Sequence, residues 1–396
     1  MLANRVRSIK PSPTLAIDAK AKELKSSGVD IVNFGIGEPD FDTPENIKEA
    51  AIKAIRDGFT KYTPASGIVE LKDAIIEKLK NDNGLDYTRD EIVVSCGAKH
   101  SLYNIAQAIL SPGDEVLIPS PYWVSYPDQV ILNDAVPVIV DTEEKDNFKL
   151  NPESLERHIT DRTKALILNS PSNPTGFAYA RETLERVAEI AIEKGIFIIS
   201  DEIYEKIIYD GFRHISIASL GDDVKAITIT VNGLSKSHCM TGWRIGYAAG
   251  PRDIIKAMTN IQSQSTSNPN SIAQKAAVEA LKGNQDSIKR MVSEFKDRRD
   301  FIVAELNKIR GLSCPMPQGA FYVFPRVDGL YGKGFNGWSI TSSSELSLYL
   351  LEEAEVAVVP GAAFGKDAYI RLSYATSIGQ IKKGVERLKK ACEQLS

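Results

Sequence analysis

A lysine between two serines follows an apolar run in the segment VNGLSKSHCMTGWRIG. Lys236 of this segment could be an ordinary solvated charge, but it lies in a glycine-bounded loop at the end of a predicted strand. A lysine that forms a Schiff base must be partly deprotonated, and cationic neighbours lower its pKa. Ser235 offers a hydroxyl and Arg244 a planar five-donor fork, which together suit a phosphate dianion. The segment therefore predicts a reactive lysine beside an anion site.

An acidic residue ends the most apolar run of the chain, IFIISDEIYEK. Asp201 must be paired if it is buried, because burying a lone carboxylate costs several kcal/mol. It can cap the next helix. It can also pair with a protonated pyridine nitrogen, which pyridoxal phosphate (PLP) needs in order to act as an electron sink. Tyr204, three residues later, is then positioned to reach the phenolic oxygen of the same ring.

Two further segments follow predicted strands. NSPSNPTG (169–176) alone predicts only a loop, but ligands of open α/β sheets lie at the carboxyl ends of strands. Asn173 in this segment can donate a hydrogen bond to an aromatic oxyanion. In SCGAKHSLYNIAQAIL, a strand leads through Gly97, Ala98 and Lys99 into a helix, whose free amides would bind a phosphate. Such junctions are common, so this signal is weak by itself.

Short β-rich runs alternate with helical patterns in the middle of the chain. The runs span residues 91–96, 115–120, 136–141, 163–170, 196–204, 226–233 and 244–250. Several are continuously apolar, as expected of strands covered on both faces. Between two of them, RETLERVAEIAIEK has the apolar stripe of an amphipathic helix. The alternation predicts an α/β domain with a mostly parallel sheet.

The last third of the chain has a different pattern. A long amphipathic helix is predicted over 285–308, and a glycine-rich loop lies around residues 329–337. The strand-like segments GAFYVFPRV and YIRLSYA and a final helix indicate a separate α+β domain. A length of 396 residues suits one large and one smaller domain. We predict a large domain at 45–285 and a small domain formed by 1–44 and 286–396.

The composition argues against several classes of protein. The formal net charge is −4 and no basic stretch is concentrated enough for nucleic-acid binding. We predict no signal peptide, because no apolar region follows the basic N-terminus, and no membrane span. The four cysteines lack CxxC spacing and the four histidines are scattered. We therefore expect reduced thiols, no metal site and a cytoplasmic protein.

The segments named above belong to a longer ordered set. Along the chain come NFGIGEPDF, KYTPASGIVELKDAI, the GAK loop, SPYWVSYP, NSPSNPTG, SDEIY, SKSHCMTGWRIGY, GAFYVF and RLSYA. In this order the sequence resembles the class I/II aminotransferases of PLP fold type I over essentially its whole length. It is most similar to the bacterial aspartate aminotransferases of the branch with SPYWVSYP and SQST segments. The resemblance implies a seven-stranded, mostly parallel sheet in the large domain, and PLP as cofactor.

The resemblance implies a role for each residue at the cofactor ring. Lys236 would hold PLP covalently and then carry a proton between the substrate's Cα and the cofactor. Asp201 would pair with the ring nitrogen, and Tyr204 would bind the phenolic oxygen together with Asn173. Trp123 of SPYWVSYP would lie over the ring, and the alternative for it is an apolar core tryptophan.

The phosphate contacts are implied in the same way. Ala98, Ser235 and Arg244 would hold the phosphate of their own subunit. Tyr62 of KYTPASG would reach the phosphate of the neighbouring subunit. This last role requires a homodimer with shared active sites.

Substrate recognition is implied at several positions. Arg371 in YIRLSYA would bind both oxygens of the α-carboxylate; the alternative is a surface arginine at a strand end. Gly37 would allow close backbone approach to the same substrate. Trp123 and Asn173 are expected to contact it too.

The resemblance to this bacterial branch also implies which residue binds the distal carboxylate of the substrate. No segment resembles the stretch that carries the partner arginine of animal-type aspartate aminotransferases. In the bacterial branch a lysine of the GAK-type loop binds this carboxylate, which points to Lys99. Lys10 of SIKPSP matches a lysine that contributes to handling prephenate. Each lysine alone could equally be a solvated charge.

These roles predict a ping-pong aminotransferase that converts L-aspartate and 2-oxoglutarate to oxaloacetate and L-glutamate. Conversion of prephenate to arogenate is left open as a second activity. One alternative is a PLP enzyme of the same fold with other chemistry, such as a β-lyase or a transaminase for aromatic or neutral amino acids. The other is a ligand-sensing module, but such regulators carry a fused DNA-binding domain, for which the N-terminal region is too short.

Overall fold

The computed structural model describes residues 2, 4–9 and 13–396. The strands are β1 Val32–Asn33, β2 Ile92–Ser95, β3 Glu115–Ser120, β4 Val136–Asp141, β5 Thr163–Asn169, β6 Phe197–Asp201, β7 Thr228–Gly233, β8 Gly246–Ala249, β9 Tyr322–Val323, β10 Lys333–Phe335, β11 Trp338–Ile340, β12 Val356–Ala357, β13 Val359–Pro360 and β14 Ile370–Ser373. The α-helices are α1 Asn4–Ser8, α2 Pro13–Ser26, α3 Glu45–Arg56, α4 Val69–Asn83, α5 Ala98–Ile109, α6 Ser125–Ile131, α7 Pro152–His158, α8 Arg181–Lys194, α9 Asp222–Ala226, α10 Arg252–Ser265, α11 Ser271–Lys282, α12 Asp286–Leu306, α13 Ser343–Glu353 and α14 Ile378–Gln394. None of the helices in the described ranges is long and apolar enough to cross a membrane.

Seven strands form the central sheet, in the order β2-β8-β7-β6-β5-β3-β4. Strand β8 is antiparallel to both of its neighbours, and all other pairs are parallel. Each β-rich run of the sequence contains one of these strands, so the predicted α/β fold with a mostly parallel sheet is confirmed. Because β5, β6 and β7 are adjacent and parallel, the segments that follow them leave the sheet at the same edge.

The apolar strands are covered on both faces, as alternate side chains of a strand require. In β6, Ile199 packs in a buried cluster with Leu102 of α5 and Met258 of α10. Its neighbour Ile198 points to the other face, where it packs with Leu184 of α8. Because the side chains on each face of β6 pack against different helices, the register of the strand is fixed: a shift by one residue would exchange the two faces. The register in turn fixes the position of the polar residue that ends the strand.

A second, antiparallel sheet has the strand order β13-β14-β9. Helix α12 packs beside it, with the ring of Phe295 5.5 Å from that of Phe321, just before β9. The large-domain range 45–285 contains every strand of the central sheet, and the second sheet lies in 286–396. We keep this division, with 1–44 assigned to the small domain, as a proposal.

The glycine-rich segment around 329–337 is more ordered than the sequence suggested. The prediction of a loop there was wrong in part, because strands β10 and β11 form an antiparallel hairpin with Phe335 paired to Trp338. Asn336 and Gly337 connect them with φ angles of 46° and 88°. An Asn-Gly pair with two positive φ angles forms a tight turn whose twist matches that of the flanking strands.

Candidate active site

A cavity of about 280 Å³ lies at the carboxyl edge of the central sheet. All but two of the predicted site residues line it. They are Gly37, Ala98, Lys99, Trp123, Asn173, Asp201, Tyr204, Ser235, Lys236, Arg244 and Arg371. The strand order explains why Asn173, Asp201 and Lys236 lie close together, because the loops that follow β5, β6 and β7 leave the same edge of the sheet.

Lys236 lies three residues after the end of β7, with a half-buried side chain. Its Nζ donates a hydrogen bond of 2.5 Å to the carbonyl oxygen of Gly37. Burial lowers the pKa of Lys236 to about 8, and the positive charges of Arg371 and Arg244 act in the same direction. The carboxylate of Glu38 opposes them. A larger fraction of the amine is therefore unprotonated near neutral pH than in an ordinary lysine, which favours a nucleophile or proton carrier.

Asp201 is the last residue of β6, and only 4 % of it is exposed. Its Oδ2 accepts a hydrogen bond of 2.7 Å from the hydroxyl of Tyr126, and its Oδ1 accepts a longer one of 3.3 Å from the amide of Ile203. Burial raises the pKa of Asp201 to about 6, against the stabilising bond from Tyr126. At pH 7 the group is mostly ionised and suits a cationic partner.

Arg371 is a buried cation on β14 that faces the same cavity. Its Nη1 donates to Oδ1 of Asn173 at 3.0 Å, and its Nη2 donates to the carbonyl oxygen of Gly35 at 2.7 Å. Its Nε is buried and has no hydrogen-bond acceptor within the described part of the chain, where no carboxylate pairs with the guanidinium either. Since a buried charge needs a counter-charge, this arginine is prepared for an anionic ligand.

Asn173 and Tyr204 line the same cavity as this arginine and the Asp201 carboxylate. The oxygen of the Asn173 side chain faces Arg371, so its amide nitrogen can donate to another group. The hydroxyl of Tyr204 lies 2.8 Å from that of Tyr322. Burial raises the pKa of Tyr204 well above its ordinary value, so this hydroxyl stays protonated and can act as a donor.

The opposite end of the cavity is built for an anion. Helix α5 begins at Ala98, after Gly97 with a φ of 92°, and no side chain caps its amides. The guanidinium of Arg244 lies directly over this turn, since a Cβ on Gly97 would come within 2.4 Å of its Nη2. The buried Ser235 lines the same cavity. Free helix amides, a hydroxyl and a guanidinium are groups that suit a phosphate.

Lys99 and Trp123 form the outer wall. The ammonium of Lys99 lies 4.8 Å from the centroid of the Trp123 ring, although the lysine is exposed overall. Partial desolvation, and then the charge of Arg244, lower the pKa of Lys99. Trp123 packs edge-on against Tyr126 at 5.3 Å, so its indole is held in place.

The two remaining predicted residues are not part of this cavity. Tyr62 is 89 % exposed on the surface. This position is compatible with a contact to a second subunit, which stays a prediction. Lys10 falls outside the described residues.

The cavity also contains residues that the sequence reasoning missed. Tyr126 and Tyr322 contact predicted site residues directly, and Asn169 and Thr241 line the wall. Tyr126 follows Trp123 by three residues in SPYWVSYP, which is helical spacing and offered a signal. Tyr322 lies among the apolar residues of GAFYVF, where a tyrosine is ordinarily part of the core.

A compact acidic cluster lies near the sheet outside this cavity. Ligand atoms of Glu202, Glu205 and His214 lie within 4.8 Å of one another. Each carboxylate already has a partner, because His214 contacts Glu202 at 3.0 Å and Lys78 forms an ion pair with Glu205. With its charges balanced in this way, the cluster does not require a metal.

The chain is similar to known proteins over almost its whole length. Residues 29–388 match the family model described as aminotransferase class I and II. The chain is 54 % identical to an aspartate aminotransferase of Bacillus sp. (strain YM-2), over 98 % of each chain. It is 52 % identical to a probable aspartate/prephenate aminotransferase of Rickettsia felis, over 100 % of this chain and 97 % of that one. The crystal structure of the aspartate aminotransferase from Rhizobium meliloti superimposes with a TM-score of 0.97 at 48 % identity, over 100 % of each chain. The chain therefore belongs to the class I and II aminotransferases.

Proposed function

We propose that this chain is a PLP-dependent aspartate aminotransferase, which converts L-aspartate and 2-oxoglutarate to oxaloacetate and L-glutamate. The main support is that a lysine with a lowered pKa, a buried carboxylate and a buried arginine face one cavity. Relatives over the full length that are named aspartate aminotransferase support the substrate.

The cavity fits the cofactor at each of its polar ends. Asp201 keeps a carboxylate oxygen with only one long hydrogen bond, which suits the ring nitrogen. Gly97 leaves space for Arg244 over the start of α5, which suits the phosphate. Bound PLP supplies an electron-deficient ring that accepts the electron pair left when the substrate's Cα–H bond breaks.

Each residue then has a defined role toward the cofactor. Lys236 binds it covalently through Nζ. Asp201 holds a proton on the ring nitrogen by its charge, and Tyr204 and Asn173 donate to the phenolic oxygen. Ala98, Ser235 and Arg244 bind the phosphate. Trp123 covers the ring, since its indole is fixed against Tyr126.

The phosphate site is completed by a second subunit in this proposal. Tyr62 of the other copy reaches the phosphate, so that the active enzyme is a homodimer with shared sites. The high exposure of Tyr62 in the single chain supports this role.

Lys236 also moves the proton of the reaction. Its neutral amine would take the proton from the substrate's Cα and return it later in the reaction, while the bound cofactor would supply the electron-accepting ring. The pKa of about 8 supports this role, because the group can both accept and return a proton near neutral pH.

Recognition of the substrate uses both ends of the dicarboxylate. Arg371 binds the α-carboxylate in bidentate fashion, and Gly37 allows the backbone to approach it. Lys99 binds the distal carboxylate from the wall of the cavity. Closure of the small domain would then exclude water and align the Cα–H bond.

A second activity toward prephenate is proposed because several full-length relatives are named probable aspartate/prephenate aminotransferases. Lys10 is the residue assigned to it. To test this activity, the enzyme is first converted to its amino form with aspartate, and prephenate and 2-oxoglutarate are then compared as amino acceptors. Failure of prephenate to restore the original cofactor absorbance would exclude the activity.

The half-reaction of the purified enzyme with single amino acids tests the main proposal. Aspartate, glutamate, phenylalanine and alanine are each added without an acceptor, and conversion of the cofactor absorbance is followed. Aspartate should react fastest, and equal rates with alanine would overturn the substrate assignment. Lys236→Ala should abolish turnover and leave PLP bound noncovalently. Lys72→Ala, which removes another buried lysine with a lowered pKa, is the control.

A further inference from the structure

Tyr322 connects the two halves of the candidate site. It is the first residue of β9, is fully buried and lines the cavity. On one side its hydroxyl lies 2.8 Å from the hydroxyl of Tyr204. On the other side its ring centroid lies 4.6 Å from the Cζ of Arg371. One side chain therefore contacts both a residue assigned to the cofactor and the residue assigned to the substrate carboxylate.

The ring of Tyr322 supports the guanidinium of Arg371. The hydrogen bonds of this arginine go to two neutral acceptors, on Asn173 and Gly35, among the residues described. The ring faces of Tyr322 and Phe364, at 4.6 and 5.2 Å from Cζ, add to the stabilisation by these two hydrogen bonds. A cation over an aromatic face is attracted by the ring quadrupole, most strongly when water is excluded.

The hydroxyl of Tyr322 supports Tyr204. If the O–H of Tyr204 is directed to the phenolic oxygen of the cofactor, the hydroxyl of Tyr322 is the donor in the hydrogen bond between the two tyrosines. A hydrogen-bonded chain of this kind polarises each member and strengthens the outer donor. The absence of a side chain at Gly37 leaves room for it, because a Cβ there would come within 3.1 Å of the Tyr322 hydroxyl.

We propose that Tyr322 is a positioning residue that acts through two neighbours: its ring orients Arg371 for the substrate carboxylate, and its hydroxyl strengthens the hydrogen bond from Tyr204 to the cofactor. The inference rests on the proposed function for the roles of Arg371 and Tyr204. It assigns separate effects to the ring and the hydroxyl, so the two can be measured separately.

The test uses Tyr322→Phe and Tyr322→Met in the PLP-loaded enzyme, with two readouts besides activity. The first is the dissociation constant of maleate, a dicarboxylate without an amino group, which probes Arg371. The second is the pH at which the visible absorption of the bound cofactor changes, which probes the donor to its phenolic oxygen. Tyr349→Phe, which removes another buried hydroxyl that is hydrogen-bonded elsewhere, is the control.

Tyr322→Phe should leave the maleate dissociation constant within about twofold, because the ring remains. It should raise the pH of the spectral transition by about 0.5 unit, because a weaker donor leaves the phenolic oxygen more basic. Tyr322→Met should produce the same spectral shift and weaken maleate binding about tenfold. The control should change neither readout.

Two results would overturn the inference. If Tyr322→Met leaves maleate binding unchanged, or if Tyr322→Phe weakens it by the same factor, the ring is not the support of Arg371. If Tyr322→Phe leaves the spectral transition unchanged, the hydroxyl does not act on Tyr204. Tyr322→Phe alone tests the role of the hydroxyl, and Tyr322→Leu replaces Tyr322→Met as the variant without a ring if Tyr322→Met folds poorly. Failure of the proposed function is a separate result, visible in the unmodified enzyme as the lack of any spectral conversion with amino acids.

Discussion

The hydroxyl of Tyr126 donates a hydrogen bond of 2.7 Å to Oδ2 of Asp201. Burial raises the pKa of Tyr126 well above its ordinary value, so that it remains a donor throughout the working range of pH. It occupies one oxygen of the carboxylate and stabilises the ionised form. The other oxygen is thereby left for the group that the cavity receives.

Replacing Tyr126 with phenylalanine should weaken PLP binding in a pH-dependent way. Without its donor, the pKa of Asp201 should rise above about 6, so that more of the carboxyl is neutral near pH 7. We expect the PLP dissociation constant to rise about tenfold at pH 6 to 7, and by less at pH 8.5, where Asp201 is ionised in both proteins. Equilibrium titration of cofactor-free protein measures it. Tyr122→Phe, on the same segment, should have little effect, and an equal loss for Tyr126→Phe at every pH would contradict this explanation.

The reactivity of Lys236 should follow its lowered pKa. The free amine reacts, so the rate of covalent PLP capture by cofactor-free protein should rise through about pH 8, and not near the ordinary lysine value of 10.5. Because Glu38 raises the pKa of Lys236, Glu38→Gln should move this transition to lower pH. Stopped-flow absorbance between pH 6 and 10 measures the rate. Glu45→Gln, in an exposed pair with Lys48, should leave the transition in place; a shift to higher pH in Glu38→Gln would refute the assignment.

Removal of Lys99 should reduce discrimination between aspartate and alanine. Lys99→Ala should lower the rate constant of the aspartate half-reaction about 10- to 100-fold, since a hydrogen bond to a charged group contributes about 1.5 to 3 kcal/mol. Alanine, which lacks the distal carboxylate, should react almost as before. Lys164→Ala is the matched control, because its ammonium also lies over an aromatic ring, 5.7 Å from Phe197, outside the cavity. A parallel loss for both amino acids in Lys99→Ala would show that the lysine serves another purpose.

Replacing Gly97 with alanine should damage the phosphate end selectively. The new Cβ would lie 2.4 Å from Nη2 of Arg244 and displace the guanidinium. We expect PLP to bind about tenfold more weakly, while pyridoxal, which lacks the phosphate, binds as before. Gly113→Ala separates this effect from backbone strain, since Gly113 has a similar φ of 87° but no atom within 4 Å of the added Cβ. The same change in both variants would mean that strain alone is responsible.

The sequence predicted the central sheet well, because the relevant information is local. Each strand is a short apolar run, and the run itself shows where the strand ends. Since Asp201 and Lys236 follow such runs, their positions at one edge of the sheet could be predicted together. The position of Ala98 was predictable for the same reason, since it begins the helix after β2.

The contacts that complete the cavity could not be predicted in this way. Tyr126 meets Asp201 across 75 residues of sequence, and Tyr204 meets Tyr322 across 118. Neither contact is visible in local periodicity, and Tyr322 stands among the apolar residues of GAFYVF as a core tyrosine would. The role of Tyr62 depends on a second subunit, and Lys10 lies outside the described residues, so both assignments remain predictions.

The hydrogen bond from Arg371 to the carbonyl oxygen of Gly35 joins residues 336 positions apart. The residues assigned to the cofactor within one subunit all lie between Ala98 and Arg244. Gly37 and Arg371, which are assigned to the α-carboxylate, lie before and after this range in the sequence. During translation, the cofactor residues therefore emerge from the ribosome well before Arg371 does. A product terminated before β14 would retain every one of these cofactor residues, but it would lack the guanidinium and also Leu372, Tyr374 and Ile381 of the small-domain core, so neither the substrate cation nor an intact small domain would form.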